Sequence, residues 1–397
     1  MAQTLRSSQA IEGIGGGGLR WAGFAVGLFI VLGTGGSLLK TLVVPRGLTS
    51  RLAVFVGRRL TLKSFLFVAN RFESYEMKDK ILAISAPASL LTLLSAWLLL
   101  FFVGFGLMLG PFVPGPFSAA LRESGSSMLT LGFAGTAQTG ATSIHFIAAA
   151  TGLVVVALQI AYLPTLYGAF NRREMLVTML QSRAGSPAWG PELLARAQMV
   201  SLMDSLPDLY SEWERWAAEV AESHTTYPAL VWFRSPHPLR SWVVGLLAVM
   251  DSAALFLSLS PSRAPVEARL CIRMGFTALR DIAAAVHISY DPDPFPDEEI
   301  TLTFEEYAGG VRKLQEAGFA MERTPEDAWQ DFRGWRVNYE SLCYALADAT
   351  VAVPGPWSGP RKHLPDMAIL PQRPANRRPN DPGAKSEPKA ERSGWRA

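Results

Sequence analysis

The chain has 397 residues, of which 49% are hydrophobic and 18% charged, with a mean hydropathy of +0.18. That balance is too apolar for an ordinary soluble protein of this length, and a formal net charge of +3 gives no footprint of a nucleic-acid partner. Its two cysteines, Cys271 and Cys343, lie far apart and outside any CxxC spacing, which argues against a disulfide framework or a zinc site and predicts two buried thiols.

The first apolar stretch runs without charge from Trp21 to Leu39. It predicts a membrane span over 20–44, within an N-terminal segment 1–45, because roughly 20 apolar residues cross a bilayer core. GTGGSLLK follows it without a small-x-small cleavage pattern, so the span is expected to be retained rather than removed as a signal peptide. Gly23 and Gly27 form a GxxxG pair, which lets helix backbones approach closely.

Segment 46–80 is basic: Arg46, Arg51, Arg58, Arg59, Lys63, Arg71, Lys78 and Lys80 stand against Glu73, Glu76 and Asp79. RLAVFVGRRLTLKSFLFVANRF interleaves Leu, Val and Phe with these cations. That pattern suits a helix lying at a membrane surface; a helix packed on the soluble domain is the alternative.

Two long stretches then lack Asp, Glu, Lys and Arg altogether, Ile81 to Leu121 and Ser124 to Asn171. They predict spans over 81–110 and 142–170. Between them, PFVPGP leads to Pro116, suited to a helix's first turn, and 117–129 can form a helix too short to cross. TLGFAG and a polar TAQTGATS follow. Non-helical backbone is tolerated at membrane depth only where protein buries it or it lines water. Outer helix, short helix, glycine-containing loop and inner helix over 81–171 therefore form a pore-loop layout.

Arg172 and Arg173 follow the last span, whereas 111–141 holds only Arg122 and Glu123. The positive-inside rule then places 46–80 and the C-terminal part in the cytoplasm, with the N-terminus outside. The expected fold class is an all-α membrane protein of the cell membrane: three spans with a re-entrant pore helix and loop, a helical cytoplasmic domain and a disordered tail.

Residues 81 to about 175 resemble the pore module of the tetrameric potassium-channel family, in its two-helix-plus-pore-loop form. That family presents backbone carbonyls from a T-V-G-Y-G-D type strand in place of the ion's water shell. By that resemblance Thr130 takes the threonine place, Leu131 the valine, Gly132 the first glycine and Phe133 the aromatic. Ala134 stands where the second glycine would be, and Gly135 where the acidic residue would be. The resemblance implies a homotetramer passing potassium or other monovalent cations, with Gly152 and Pro164 as inner-helix hinge or gate. Ala134 keeps a second reading open, a channel-derived membrane sensor or scaffold that no longer conducts. No arginine-repeat helix precedes the pore, which argues against a conventional voltage sensor. His145, at the outer start of the third span, is expected to be a satisfied interfacial histidine.

From 172 to 351 the pattern predicts a helical domain. EMLVTMLQSRAG ends at a glycine stop, and apolar residues recur at helical spacing from Pro191 through His224. Residues 242–260 are apolar enough for a fourth span, but Asp251 at the centre is expensive in lipid, so a buried core helix is expected. Asp291, Asp293 and Asp297 lack the glycine and terminal glutamate of a calcium loop and read as a solvated acidic loop. His224, His237 and His287 neighbour no catalytic pattern. GGGG at 15–18 lacks the Lys-Ser/Thr of a phosphate loop, and GFGLMLG at 104–110 lies within a span, so its glycines are expected to serve helix packing. The sequence points to no enzyme, cofactor or metal. Beyond membrane lipids and the permeant cations, the only expected partner is a further copy of the chain. From Ala352 the chain is proline-rich with scattered charge, and 352–397 is expected to be a disordered basic tail.

Overall fold

The computed structural model describes residues 2–42 and 55–360. Among them every regular element is helical and no strand is present. They divide into two compact units. The first comprises the chain up to Glu174 together with Glu219–Pro238 and Asp281–Ser289; the second comprises Met175–Ala218, Leu239–Arg280 and the chain from Tyr290 onward. The boundary expected at 171/172 therefore falls inside a continuous helix. Two segments expected in the cytoplasmic domain, 219–238 and 281–289, pack with the spans instead.

The first unit contains α1 (Ala2–Leu42), a π-helical stretch Phe55–Leu62 running into α2 (Lys63–Ala69), α3 (Tyr75–Leu109), α4 (Phe117–Met128) and most of α5 (Thr139–Ala184). Gly17–Leu42, α3 and α5 are each long and apolar enough to cross a membrane. Both α3 and α5 outrun the charge-free stretches. Lys78, Asp79 and Lys80 lie in the opening turns of α3, and α5 continues unbroken through Pro164 and the arginines at 172 and 173.

α1 and α3 are antiparallel, since contacts pair rising numbers on one with falling numbers on the other. Arg20 Nη2 donates to the Gly115 carbonyl just beyond α3 (2.8 Å), Gly27 meets Gly104, and Trp97 Nε1 donates to Ser37 Oγ (3.1 Å). A Cβ on Gly27 would lie 2.5 Å from the Gly104 carbonyl oxygen, so the GxxxG stretch serves a close backbone approach. The glycines of GFGLMLG divide between two neighbours. Gly104 faces α1, while a Cβ on Gly106 would strike Leu121 of α4.

The basic stretch before α3 is helical from Phe55 to Ala69 and turns over 70–74. Val56, Thr61 and Ala69 are buried against the unit, and Phe55, Leu60 and Phe67 are exposed. The Arg71 guanidinium lies 5.0 Å from the Phe67 ring centre. Arg46 and Arg51 lie outside the described residues.

At the opposite end from the α3–α4 connection, a strap formed by residues 224–234 crosses the foot of the unit. Arg173, wholly buried at the end of α5's apolar run, uses all its donors there. Nη1 donates to His224 Nε2 (3.0 Å) and to the Leu230 carbonyl (2.8 Å); Nη2 donates to the Phe233 carbonyl (2.7 Å) and to Glu174 (2.8 Å), which also accepts from Nε. Arg234 reaches the start of α3, donating to Asp79 (2.6 Å) and to the Tyr75 hydroxyl (2.8 Å). Leu230 and Phe233 join the apolar core of the spans.

The second unit is built on α8 (Trp242–Leu259), all 18 residues of which are buried. α6 (Gly190–Met199), α11 (Pro325–Arg336) and α12 (Glu340–Ala349) pack on it. The unit also includes the first part of α7 (Leu206–Thr226), most of α9 (Val266–Ala285), and α10 (Phe304–Glu316). Although α8 matches a span in length and hydropathy, protein encloses every face of it. Asp251 is answered across the unit: Arg336 Nη1 donates to Asp251 Oδ1 (2.5 Å) and Tyr339 donates its hydroxyl to the same oxygen (2.9 Å). Arg336, itself 0% exposed, also donates to Glu340 (2.8 Å) and to the Trp357 carbonyl (2.8 Å).

Two expectations are corrected here. The helix expected to run from Pro191 to His224 breaks at 200–205, where Ser201 takes φ +57°. Pro207 explains the break: it has no N–H for the residue 203 carbonyl and its ring would clash there, so the helix restarts with proline in its first turn. The tail expected from Ala352 is packed as far as about residue 359. Trp357 sits among Trp189, Tyr307 and Phe332 with ring centres 5.7–6.5 Å apart, and Ala352, Val353 and Ser358 are buried. Composition alone missed it because Arg336, which clamps the Trp357 carbonyl, is distant in sequence. Residues 361–397 lie outside the described residues. Cys271 and Cys343 are free and buried, and burial pushes both thiols up, so they stay protonated.

Breaking the Arg336 cluster strands buried carboxylates, so Arg336→Met is expected to cost about 3–5 kcal/mol, and Asp251→Leu combined with Arg336→Met less than that. Thermal unfolding of the full chain in detergent, followed by tryptophan fluorescence, checks the order.

His224 gives a pH signature. Its ring bonds the Val220 backbone and accepts from Arg173, which also holds Glu174, and Ser223 Oγ lies 3.1 Å from its Nδ1. Burial first, and the Arg173 charge second, push it well below the ordinary histidine range. The folded state refuses a proton that the unfolded chain accepts. The resulting stability is therefore present above about pH 6.5 and lost as pH falls below it. Melting temperatures from pH 8 to pH 5 are expected to fall in the native chain and to flatten in His224→Gln.

Candidate functional site

The loop from Leu129 to Gln138 joins α4 to α5. α4 is short because Pro116 opens it and a tight reversal closes it. The Thr130 N–H donates to the Ser127 carbonyl (3.0 Å) and the Leu131 N–H to the Ser126 carbonyl (2.8 Å), with Thr130 at φ +54°. These are the two bonds of a Schellman cap, with threonine in the left-handed place usually given to glycine. A β-branched residue there is strained. Gly132 follows at φ +72° and Leu131 between them is not left-handed, so the backbone alternates in hand from Thr130 to Gly132.

Three side chains brace the loop from behind. The Ser126 hydroxyl accepts from the Ala134 N–H (3.0 Å). Glu123, buried on α4, accepts from the Thr136 hydroxyl (2.7 Å). His145, near the start of α5, lies between Ser127 (Nδ1 to Oγ 2.7 Å) and Glu123 (Nε2 to Oε2 3.1 Å). The cluster ties α4, the loop and α5 together. Ala134 is not left-handed either, so its Cβ causes no backbone strain. On the open side Leu131 and Phe133 are 60% and 59% exposed, and Arg122 lies 5.7 Å from the Phe133 ring centre.

Behind the loop's origin α5 passes α4 at backbone contact. A Cβ on Gly152 would lie 1.9 Å from the Met128 carbonyl oxygen. Gly125 fits under Phe102, and Ser124 donates to the Phe102 carbonyl (2.8 Å), which seats α4 against α3.

Thr130, Leu131, Gly132, Phe133 and Gly135 are exposed and Ala134 is half-buried, so the six loop residues form one largely exposed segment. Gly152 lies directly behind its start. Pro164 is exposed, 12 residues further along α5, or about 18 Å at the helical rise. Sequence reasoning missed the bracing set Glu123, Ser126, Ser127 and Thr136. The available signal was Glu123, the one carboxylate between Ile81 and Asn171, since an ionisable residue in an apolar region is a functional candidate by default. His145, expected to be a satisfied interfacial histidine, is bonded at Nδ1 to Ser127, while its Nε2 faces Glu123 Oε2 at 3.1 Å without a formed hydrogen bond. Among the described residues no group of three or more His, Cys, Asp or Glu could hold a metal ion.

Compared with family models, with curated proteins and with solved structures, the chain matches none.

Gly152→Ala forces α5 away from Met128, and overpacking of this kind costs about 1–3 kcal/mol or more. Gly135→Ala meets open space and no left-handed backbone. A clear drop in melting temperature is expected for the first and none for the second.

Proposed function

We propose that the protein is a cation channel of the cell membrane, of the tetrameric potassium-channel type, with permeation along Thr130, Leu131, Gly132, Phe133, Ala134 and Gly135. The observation that carries this reading is α4 itself: a short helix between two long apolar ones, closed by a tight cap and handing over to an exposed, non-helical, braced loop.

Such a loop in a bilayer must line water or be covered by protein, and one loop cannot close a ring. Cyclic symmetry supplies the other copies, and a tetramer suits this layout. The C-terminal end of α4, where the helix dipole is negative, lies at the start of the loop and favours cations over anions. Potassium is the first candidate, with other monovalent cations as the looser alternative. A filter of this type would present backbone carbonyls to the ion, and the left-handed Thr130 and Gly132 on either side of Leu131 support reading this stretch as that segment. Lys63, Arg71 and the arginines after the last span favour a cytoplasmic foot and an external N-terminus. Gly152 has a packing role here, so the hinge is assigned to Pro164, which removes a backbone donor in the lower half of α5.

The test is cation flux into liposomes holding the purified full chain, under potassium and then sodium gradients, with Ala134→Gly in parallel. Potassium flux in the native chain, exceeding sodium flux, is expected, and Ala134→Gly is expected to widen that preference. Silence of both proteins under both gradients overturns the channel reading and leaves a non-conducting membrane scaffold.

A further inference from the structure

The strap at the foot of the first unit adds Leu230 and Phe233 to the apolar core and carries a dense set of polar contacts. It bonds to α3 and α5, the two long helices on either side of α4 and its loop. On α5 it is held by Arg173 through His224 and two backbone carbonyls, and by rings: Tyr227 lies edge-on to Tyr162 (5.6 Å), and Phe233 meets Tyr167 (5.9 Å) and Phe170 (5.6 Å). On α3 it is held by Arg234, whose side chain is 10% exposed, on Asp79, 8% exposed, and on Tyr75. These α3 contacts fall within its first two turns, and the α5 contacts near the end of its apolar run. One segment of eleven residues, 224–234, therefore joins the two feet.

Its covalent connections are equally specific. The strap lies inside Glu219–Pro238, and the chain on either side of that stretch, Met175–Ala218 and Leu239–Arg280, belongs to the second unit. α5 itself enters the second unit at Met175, two residues after Arg173. Arg172 pairs with Glu219 at the same place. The chain of the second unit thus connects covalently, on both sides of the strap and at Met175, to the residues that tie α5 to α3.

We propose that residues 224–234 are a latch: engaged, they hold the foot of α5 to the foot of α3 and keep the pathway shut; released, they free the lower part of α5 below Pro164 to move. The inference rests on the channel reading for its effect on conduction, but its geometry can be tested without conduction. A latch built of a carboxylate–guanidinium pair and bonds to carbonyl oxygens is directional and can be broken and remade. An apolar seam would instead slide.

The experiment uses the full chain with spin labels at Met77→Cys on α3 and Thr165→Cys on α5, both exposed positions. The native cysteines are buried. Labelled chains are diluted into unlabelled ones, so that the measured distance lies within one subunit, and cation flux is recorded on the same preparations. Asp79→Asn and Arg234→Gln are each expected to lengthen and broaden the distance distribution and to raise flux severalfold. The exchanged pair, Asp79→Arg with Arg234→Asp, is expected to return both toward the native values. Tyr227→Leu, which removes the ring against Tyr162 and leaves the ion pair, is expected to act like the single charge variants and serves if those fold poorly. Unchanged distances in the single variants and in Tyr227→Leu overturn the latch, as does failure of the exchanged pair to restore them. Lengthened distances with no flux in any variant keep the latch and overturn the channel reading. Lengthened distances with unaltered flux in a conducting protein overturn its role as a gate.

Discussion

The geometry of the loop depends on a single backbone approach, Gly152 of α5 against the Met128 carbonyl at the end of α4. A helix of 12 residues has little stability of its own in isolation, so α4 exists because its neighbours hold it. On one side α3 presents Gly106 and Phe102 to Leu121 and Gly125. On the other, α5 can come close enough to fix the last turn only because residue 152 has no side chain. With both contacts in place, the Ser126 carbonyl is where the cap needs it, and the loop leaves α4 in one direction.

The polar residues then act where apolar packing has no directionality. Glu123 accepts from Thr136, Ser127 bonds His145, and Ser126 accepts from the Ala134 N–H, all beside close-packed helices. In a low-dielectric surrounding an unmade bond is costly, so this set specifies one loop position. Arg173 does the same at the foot, and Arg336 does it inside the second unit. Each of these two arginines is fully buried: Arg173 holds the Leu230 and Phe233 carbonyls, in and just after the short 3-10 turn Pro228–Trp232, and Arg336 holds the Trp357 carbonyl. The pattern follows from guanidinium chemistry: five donors in a fixed fork can hold several acceptors at once.

The distribution of small residues follows the same logic. Gly27 and Gly104, Gly106, Gly125 and Gly152 are all helical and all at close approaches, whereas Gly132 and Gly185 serve left-handed backbone. Helices in a membrane gain little from apolar burial against one another, so van der Waals contact at short range carries the packing.

The sequence by itself determined the order and type of the elements in the spanning region. Charge-free runs at Trp21, Ile81 and Ser124 set three long apolar helices, and Pro116 with the threonine and glycines after Leu129 set a short helix and a loop, because hydropathy and proline act locally. It also identified α8 as a core helix, since Asp251 cannot stand alone in lipid. The tertiary structure alone decided which residues meet: Glu123 with Thr136 and His145, Arg336 with Asp251 and with the Trp357 carbonyl, and Arg173 with the strap some fifty residues later. It alone returned 219–238 to the spans and packed Trp357, because buried ion pairs and cages of rings join residues whose separation along the chain carries no periodic signal. Local pattern specifies an element; only folding brings a distant charge to its partner.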